Sequence, residues 1–172
     1  VGRLKEYAGK AEPLRELSSH QAEVFQSIRR LFEEKDIVLL HGITSSGKTE
    51  IYIHLIEEQL RKGKQVLYML PEIALTAQII IRLQKHFGQV TGVYHSRFTD
   101  QEKVEIWNRA ADKNPSPGYR LILGVRSSVF LPFSDLGLVI VDEEHDGSYK
   151  QHDPAPRYHA RDSAIMLAGF HR

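Results

Sequence analysis

Apolar residues recur at three- and four-residue spacing through Val24, Phe25, Ile28, Leu31 and Phe32, with Ser18 or Ser19 placed to cap them, and predict a first amphipathic helix. Asp36 interrupts it. The run Ile37-Val38-Leu39-Leu40 then predicts a short strand buried on both faces, ending at His41-Gly42. A second helix follows through about Lys62, with Ile51, Leu55, Ile56 and Leu60 inward, and Gly63 stops it. Gln65–Leu70 reads as the next strand, closed by Pro71, and the stretch from about Ala74 to Phe87 as a helix ended by Gly88. Val90–Tyr94 is a third strand, Asp100–Asp112 a helix carrying the single tryptophan, Trp107, and Arg120–Gly124 a fourth strand. Leu138–Val141 is a fifth, ending on Asp142. Residues up to Pro13, Asn114–Tyr119 and Asp146–Arg157 carry no period and read as irregular.

Strands alternating with helices of about three turns are the pattern of βαβ units, so the expected fold is α/β, with a mostly parallel central sheet covered by helices on both faces. Right-handed crossovers put every strand C-terminus on one edge, where ligands bind in such sheets. Residues just after strands are therefore the ones to inspect.

The 172-residue length suits one compact unit. With 41% hydrophobic and 26% charged residues the composition is that of a globular chain, not of a disordered one. The absence of cysteine excludes a disulfide scaffold and thiolate zinc sites within it. No apolar run approaches the roughly 20 residues of a membrane span, and no charged-then-apolar leader is present, so a soluble chain is expected. Lys plus Arg number 23 against 22 Asp plus Glu, spread evenly, which argues against a broad basic surface for duplex DNA. Any contact with nucleic acid must then rest on a few placed groups.

Gly42-Ile43-Thr44-Ser45-Ser46-Gly47-Lys48-Thr49 fits G-x-x-x-x-G-K-[ST] in full, between a predicted strand and a predicted helix. In such a loop the backbone N–H groups and the helix N-terminus converge on phosphate oxygens, Lys48 reaches the β- and γ-phosphates, and the Thr49 hydroxyl ligates Mg²⁺. A motor or hydrolase also needs carboxylates for the metal and the attacking water. Leu138-Val139-Ile140-Val141-Asp142-Glu143-Glu144-His145 supplies them: Asp142 at the strand tip is placed to hold the Mg²⁺ water shell, and Glu143 to orient or deprotonate water. A GTPase would carry N-K-x-D, but Asn108 and Asn114 are followed by Arg and Pro. His145, His152 and His159 recur every seven residues, yet without cysteine they make a poor zinc set.

Several stretches together carry a closer resemblance. They are Gly42–Glu50, Leu70-Pro71-Glu72-Ile73-Ala74-Leu75-Thr76, His95-Ser96-Arg97, Gly124-Val125-Arg126-Ser127-Ser128-Val129-Phe130-Leu131-Pro132-Phe133, and Asp142-Glu143-Glu144-His145-Asp146. To these add Ser148-Tyr149-Lys150-Gln151 and Arg157-Tyr158-His159-Ala160-Arg161-Asp162. With them the chain resembles the first RecA-like lobe of the primosomal replication-restart helicases of superfamily 2, the protein N′ or PriA family. The resemblance runs from about Leu17 to the C-terminus, with residues 1–16 as a leading segment.

The resemblance implies the ATP-binding lobe of a 3′-to-5′ DNA helicase that unwinds DNA at stalled or abandoned forks and helps reload the replisome. ATP is bound by Gln21, which reads adenine, and by Gly42, Thr44, Ser45, Ser46, Gly47, Lys48, Thr49 and Glu50. Catalysis falls to Lys48, Thr49, Asp142 and Glu143, with Mg²⁺ held through Thr49 and, via water, Asp142. The aromatic-rich segment 146–162 is the family's sensor of single-stranded DNA, and Arg126, Ser127, His145, Tyr149, Lys150, Arg157, Tyr158 and Arg161 bind DNA or couple it to the ATP site. The residues themselves agree with this: Tyr149 and Tyr158 offer faces for base stacking, and Lys150, Arg157 and Arg161 offer phosphate contacts. His145 is the expected link between the acidic motif and the loop. Thr76 and His95-Ser96 resemble elements that track the DNA backbone.

The implied partners are single-stranded and forked DNA, single-stranded-DNA-binding protein and primosome or helicase-loading proteins, for a monomer in the bacterial cytoplasm associated with the nucleoid and not with a membrane. Zinc is expected only in the family's cysteine-rich module, which lies outside this sequence. So do its S-A-T motif and its second lobe with the arginine finger, and on this ground the lobe alone is expected to hydrolyse ATP poorly. Two departures stand out: Ser45 and the Pro154-Ala155-Pro156 segment occupy positions where glycine is usual. The rival readings are a P-loop phosphotransferase acting on a small molecule and an inactive nucleotide-binding or interaction module.

Overall fold

The computed structural model describes residues 12–42, 47–111 and 118–171. Among the described residues five α-helices and four strands follow in the order α1 (Ser19–Glu34), α2 (Lys48–Arg61), β1 (Gln65–Met69), α3 (Ala77–Phe87), β2 (Thr91–Tyr94), α4 (Asp100–Ala111), β3 (Leu121–Gly124), β4 (Leu136–Val141) and α5 (Ala160–Phe170). Among the described residues the strands form one sheet of order β2-β3-β1-β4, and every pairing is parallel.

Alternation along β1 divides the core. Val66, Tyr68 and Leu70 face one layer, where Ile53 and Ile56 of α2 meet Ile80 and Leu83 of α3. Leu67 and Met69 face the other, with Ile106 and Ala110 of α4 and Ala160 and Ala164 of α5. β1 is buried at all five positions, as a central strand of a sheet covered on both faces must be. This is the α/β arrangement, a parallel sheet covered by helices on both faces, that the sequence pattern predicts. α1 lies outside the main layers and packs Ile28 on Ile51 and Leu55 of α2. No helix among the described residues is long and apolar enough to cross a membrane.

Local chemistry sets the element ends. Ser18 caps α1 in a reciprocal capping box with Gln21. Gly63, at φ 77°, turns the chain out of α2 toward β1. Gln65 ties down the opposite sheet edge from the site: its Nε2 donates to Ala110 O at 2.8 Å and its Oε1 accepts from the N–H of Ser134 at 2.8 Å.

Three expectations change. Ile37–Leu40 is not a paired, doubly buried strand: Ile37 and Leu39 are 61% and 73% exposed, while Val38 and Leu40 turn inward against Ile51, Leu55 and Leu138. Only one face of the run is buried, so it lies on the α2–β4 layer without joining the ladder. α3 begins at Ala77 and not Ala74, because residues 71–75 form a turn in which Ala74 and Leu75 both donate to Pro71 O. α5 has no counterpart among the predicted elements.

Candidate functional site

The strand C-termini converge on one edge, and the chain continues the ladder a residue further there: Leu70 N–H donates to Gly124 O, Val125 N–H to Tyr94 O, and Asp142 N–H to Met69 O. The phosphate-loop glycine Gly47 sits at φ 84° as the N-cap of α2. A side chain there would be strained by that φ, which favours glycine, and it would displace the flexible end of Gln21. Gln21 clasps the loop: its Nε2 donates to Gly47 O at 3.2 Å while its Oε1 accepts from Ser18 N–H at 2.9 Å. One N–H and one lone pair of the amide remain beyond these two bonds. Thr44, Ser45 and Ser46 lie outside the described residues.

Lys48 opens α2, with Thr49 next to it, and its ammonium donates to Gly42 O at 2.8 Å. The same Nζ stands 3.7 Å from Glu143 Oε1, which brings the phosphate loop and the acidic motif together. Glu50, one turn into the helix, pairs with Arg82 of α3 and keeps Oε2 buried without a hydrogen-bond partner.

Asp142 ends β4. Burial pushes its carboxyl above the ordinary carboxylate range, opposed by the hydrogen bond from Tyr68. Glu143 is the sole non-glycine among the described residues with positive φ, at 47°. Any side chain with a Cβ in that left-handed region costs about 1–2 kcal/mol, a cost that concentrates at functional sites. Glu143 Oε2 lies 3.8 Å from His145 Nε2.

The segment after β4 folds back on itself as a small clasp. Lys150 and His159 form an antiparallel bridge, Gln151 N–H donates to Tyr158 O, and Lys150 Nζ donates to Arg157 O at 2.9 Å. The Asp153–Pro154 and Ala155–Pro156 bonds are both cis. Arg126 enters from the 3-10 turn after β3, and its Nη1 donates to Lys150 O at 3.0 Å and to Ser148 O at 3.3 Å. Burial pushes the Tyr158 phenol up, and the positive charge of the Arg126 guanidinium opposes that push. Phe130 meets Tyr158 edge-to-face at 4.9 Å. That turn can approach so closely because Gly124 has no Cβ, whose place Ser128 takes. Ser127 sits half-buried on the same turn, and Arg157 is exposed.

Tyr149, in the loop, and Arg161, at the start of α5, both have partners within the protein. Tyr149 is 0% exposed, so it presents no face to a base; its hydroxyl instead donates to Asp142 O at 2.7 Å. Arg161 is occupied by Glu144, at 2.8 Å, and by Asp162. The connection between acidic motif and loop thus runs through Tyr149 and Arg161, while the exposed His145 ring turns toward Glu143.

Residues 18–165 match the model of the DEAD/DEAH box helicase family. The chain belongs to that family. It is also similar to the replication restart protein PriA of Bacillus subtilis (strain 168), 44% identical over 94% of this chain and 20% of the relative. PriA of Haemophilus influenzae is 46% identical over 88% of this chain and 20% of its own length, and PriA of Rickettsia felis 49% over 84% and 22%. The chain spans about a fifth of the length of these relatives.

Helicases of the DEAD/DEAH box family work with ATP and Mg²⁺, and the residues here suit both. A left-handed Gly47 at the start of α2 frees N–H groups for a phosphate chain, Lys48 supplies the cation, and Asp142 and Glu143 supply oxygen donors of the kind a hydrated hard cation takes. Sequence reasoning missed Tyr68, whose hydroxyl donates to Asp142 Oδ2 at 2.9 Å. The one available signal was a hydroxyl within an otherwise apolar strand, since a buried tyrosine finds its O–H a partner.

Proposed function

We propose that this DEAD/DEAH box lobe is the ATP-binding motor half of a 3′-to-5′ DNA helicase that acts at stalled or abandoned replication forks. The observation that carries the reading is the approach of Lys48 to Glu143 at 3.7 Å beside Asp142, with the loop bound to Asp142 through Tyr149. Gln21 reads the adenine edge with the N–H and lone pair it has left, and Gly42, Thr44, Ser45, Ser46, Gly47 and Glu50 line the nucleotide side. Lys48 draws charge off the γ-phosphate as the bond to it stretches. Thr49 and Asp142, the latter through water, would hold Mg²⁺, which would supply charge neutralisation for the phosphate chain. Glu143 orients the attacking water and takes its proton.

Single-stranded DNA lies across the strand C-terminal edge. Tyr158 stacks on a base, while Arg157 and Lys150 meet phosphates and Arg126 and Ser127 hold the loop that carries them. Tyr149 passes the loop's position to Asp142, aided by Arg161 and His145 around the acidic motif. Thr76 and His95-Ser96 extend the track along the same edge. Single-stranded-DNA-binding protein and primosome or helicase-loading proteins are the partners of the whole protein, which works as a monomer in the bacterial cytoplasm at the nucleoid and carries zinc in a separate cysteine-rich module. The lobe alone turns ATP over slowly, since an arginine finger from a second lobe is worth about 10³–10⁵ in rate.

Unwinding of a forked duplex tests the proposal. Full-length protein is expected to displace the strand in the 3′-to-5′ direction with ATP, and Lys48→Ala to bind the fork but leave it paired. Unwinding retained by Lys48→Ala contradicts the phosphate-loop assignment.

A further inference from the structure

Asp142 is held by a side chain that belongs to neither the phosphate loop nor the acidic motif. Tyr68 lies in the central strand β1, opposite Ile140 in the parallel register with β4, and is fully buried. Its hydroxyl donates to Asp142 Oδ2 at 2.9 Å, while the other oxygen, Oδ1, accepts from Glu143 N–H at 3.1 Å. The Tyr68 ring is itself braced: Tyr52, from the helix that begins with Lys48, packs edge-on against it at 5.7 Å and 72°.

A carboxylate with one donor on each oxygen cannot turn about its Cβ–Cγ bond without losing both bonds. The lone pairs left over then point in fixed directions, away from β1 and from the Glu143 amide. A tyrosine in this place differs from a phenylalanine by that one donor alone. The sheet would pack equally well around either ring, so the hydroxyl serves the carboxylate and not the core.

We propose that Tyr68 is a positioning residue for divalent-cation binding: it sets the orientation in which Asp142 meets the water shell of the metal, and Tyr52 links that setting to the helix that presents Lys48 and Thr49. This rests on the reading of Asp142 as the carboxylate that holds Mg²⁺. Residues that orient a metal's carboxylate in this way change affinity by about 10–100-fold when removed, although they never touch the ion.

The test is a divalent titration of nucleotide affinity, which does not depend on turnover. Full-length protein, Tyr68→Phe, Asp142→Asn and the double variant are titrated with a fluorescent ADP analogue at rising Mg²⁺, and with chelator in place of the metal. For Tyr68→Phe the Mg²⁺ concentration that gives half of the tightening is expected to rise about 10-fold. Affinity in chelator and the melting temperature should stay near those of the wild type. In the Asp142→Asn background, Tyr68→Phe should add no further shift. A Tyr68→Phe titration that overlays the wild type overturns the inference, and so does a shift that persists undiminished when Asp142 is already replaced. If Asp142→Asn itself leaves the Mg²⁺ response unchanged, the metal-holding reading of Asp142 fails, and the role of Tyr68 with it. A response altered by Asp142→Asn but not by Tyr68→Phe overturns the role of Tyr68 alone.

Discussion

The hydroxyl of Tyr149 donates to the backbone carbonyl of Asp142 at 2.7 Å, and Tyr149 is wholly buried. One aromatic side chain therefore joins the first turn of the loop after β4 to the strand tip that carries the acidic motif. Removing the hydroxyl leaves the ring's packing in place and breaks only that join. Tyr149→Phe in the full-length protein is expected to lower the ratio of DNA-stimulated to unstimulated ATP turnover about 10-fold, the size of a typical coupling between sites. DNA affinity should stay within about 2-fold, since the side chain is out of reach of a base. Steady-state turnover with and without an oligonucleotide gives the ratio directly, and an unaltered ratio would remove Tyr149 from the coupling path.

Glu143 makes an opposite prediction about stability. At φ 47° its backbone lies where glycine is at ease and other residues are strained. In most positions Gly is less stable than Ala because of its greater freedom when unfolded. Here the order should invert, with Glu143→Gly more resistant to urea than Glu143→Ala by about 1 kcal/mol, and both variants without hydrolysis. Equilibrium unfolding of the two variants decides the matter; an Ala variant as stable as the Gly variant would mean that the left-handed conformation is not held in solution.

His95 gives a pH dependence with a definite sign. Burial holds its pKa below the ordinary 6.5, helped by Arg97 and opposed by Glu72 and Glu102, and its ring lies against Phe98 with centroids 3.8 Å apart and planes tilted by 37°. A histidine whose folded pKa is depressed stays neutral in the fold while the unfolded chain takes up the proton. Its contribution is therefore complete above pH 6.5 and is lost as pH falls through the lower, folded value. His95→Gln should flatten that part of the stability curve. Thermal melting of both proteins across the mildly acidic range checks it, and parallel curves would count against a depressed His95.

The alternation of elements was legible because buried parallel strands leave apolar runs that helices interrupt, as Val66–Met69 in β1 and Leu121–Leu123 in β3 do. Ile37–Leu40 shows the rule's limit. Four apolar residues look alike whether one face is covered or two, and only the packing of Val38 and Leu40 against Ile51, Leu55 and Leu138 separates the cases. α5 escaped because its inward positions are the small residues Ala160 and Ala164, while Ile165, Met166 and Phe170 face out, so its stripe runs against the pattern. In the site, Lys48, Asp142 and Glu143 could be named from their motifs. The donors that fix Asp142 could not, because Tyr68 and Tyr149 read as a core residue and a loop residue until the strand register sets them on either side of it. The burial of Tyr149 and the pairing of Arg161 with Glu144 were not legible for the same reason: the direction of a side chain after the last strand is not written in the sequence.

On the proposed function, binding of single-stranded DNA at the strand-end loop drives hydrolysis at the Lys48–Asp142–Glu143 site. The most direct measurement is ATP turnover by the full-length protein with and without single-stranded DNA over a salt series, beside Lys48→Ala. Turnover should rise many-fold with DNA, the stimulation should fade as salt weakens phosphate contacts, and Lys48→Ala should show none. Turnover indifferent to DNA at every salt concentration, or unchanged in Lys48→Ala, would contradict it.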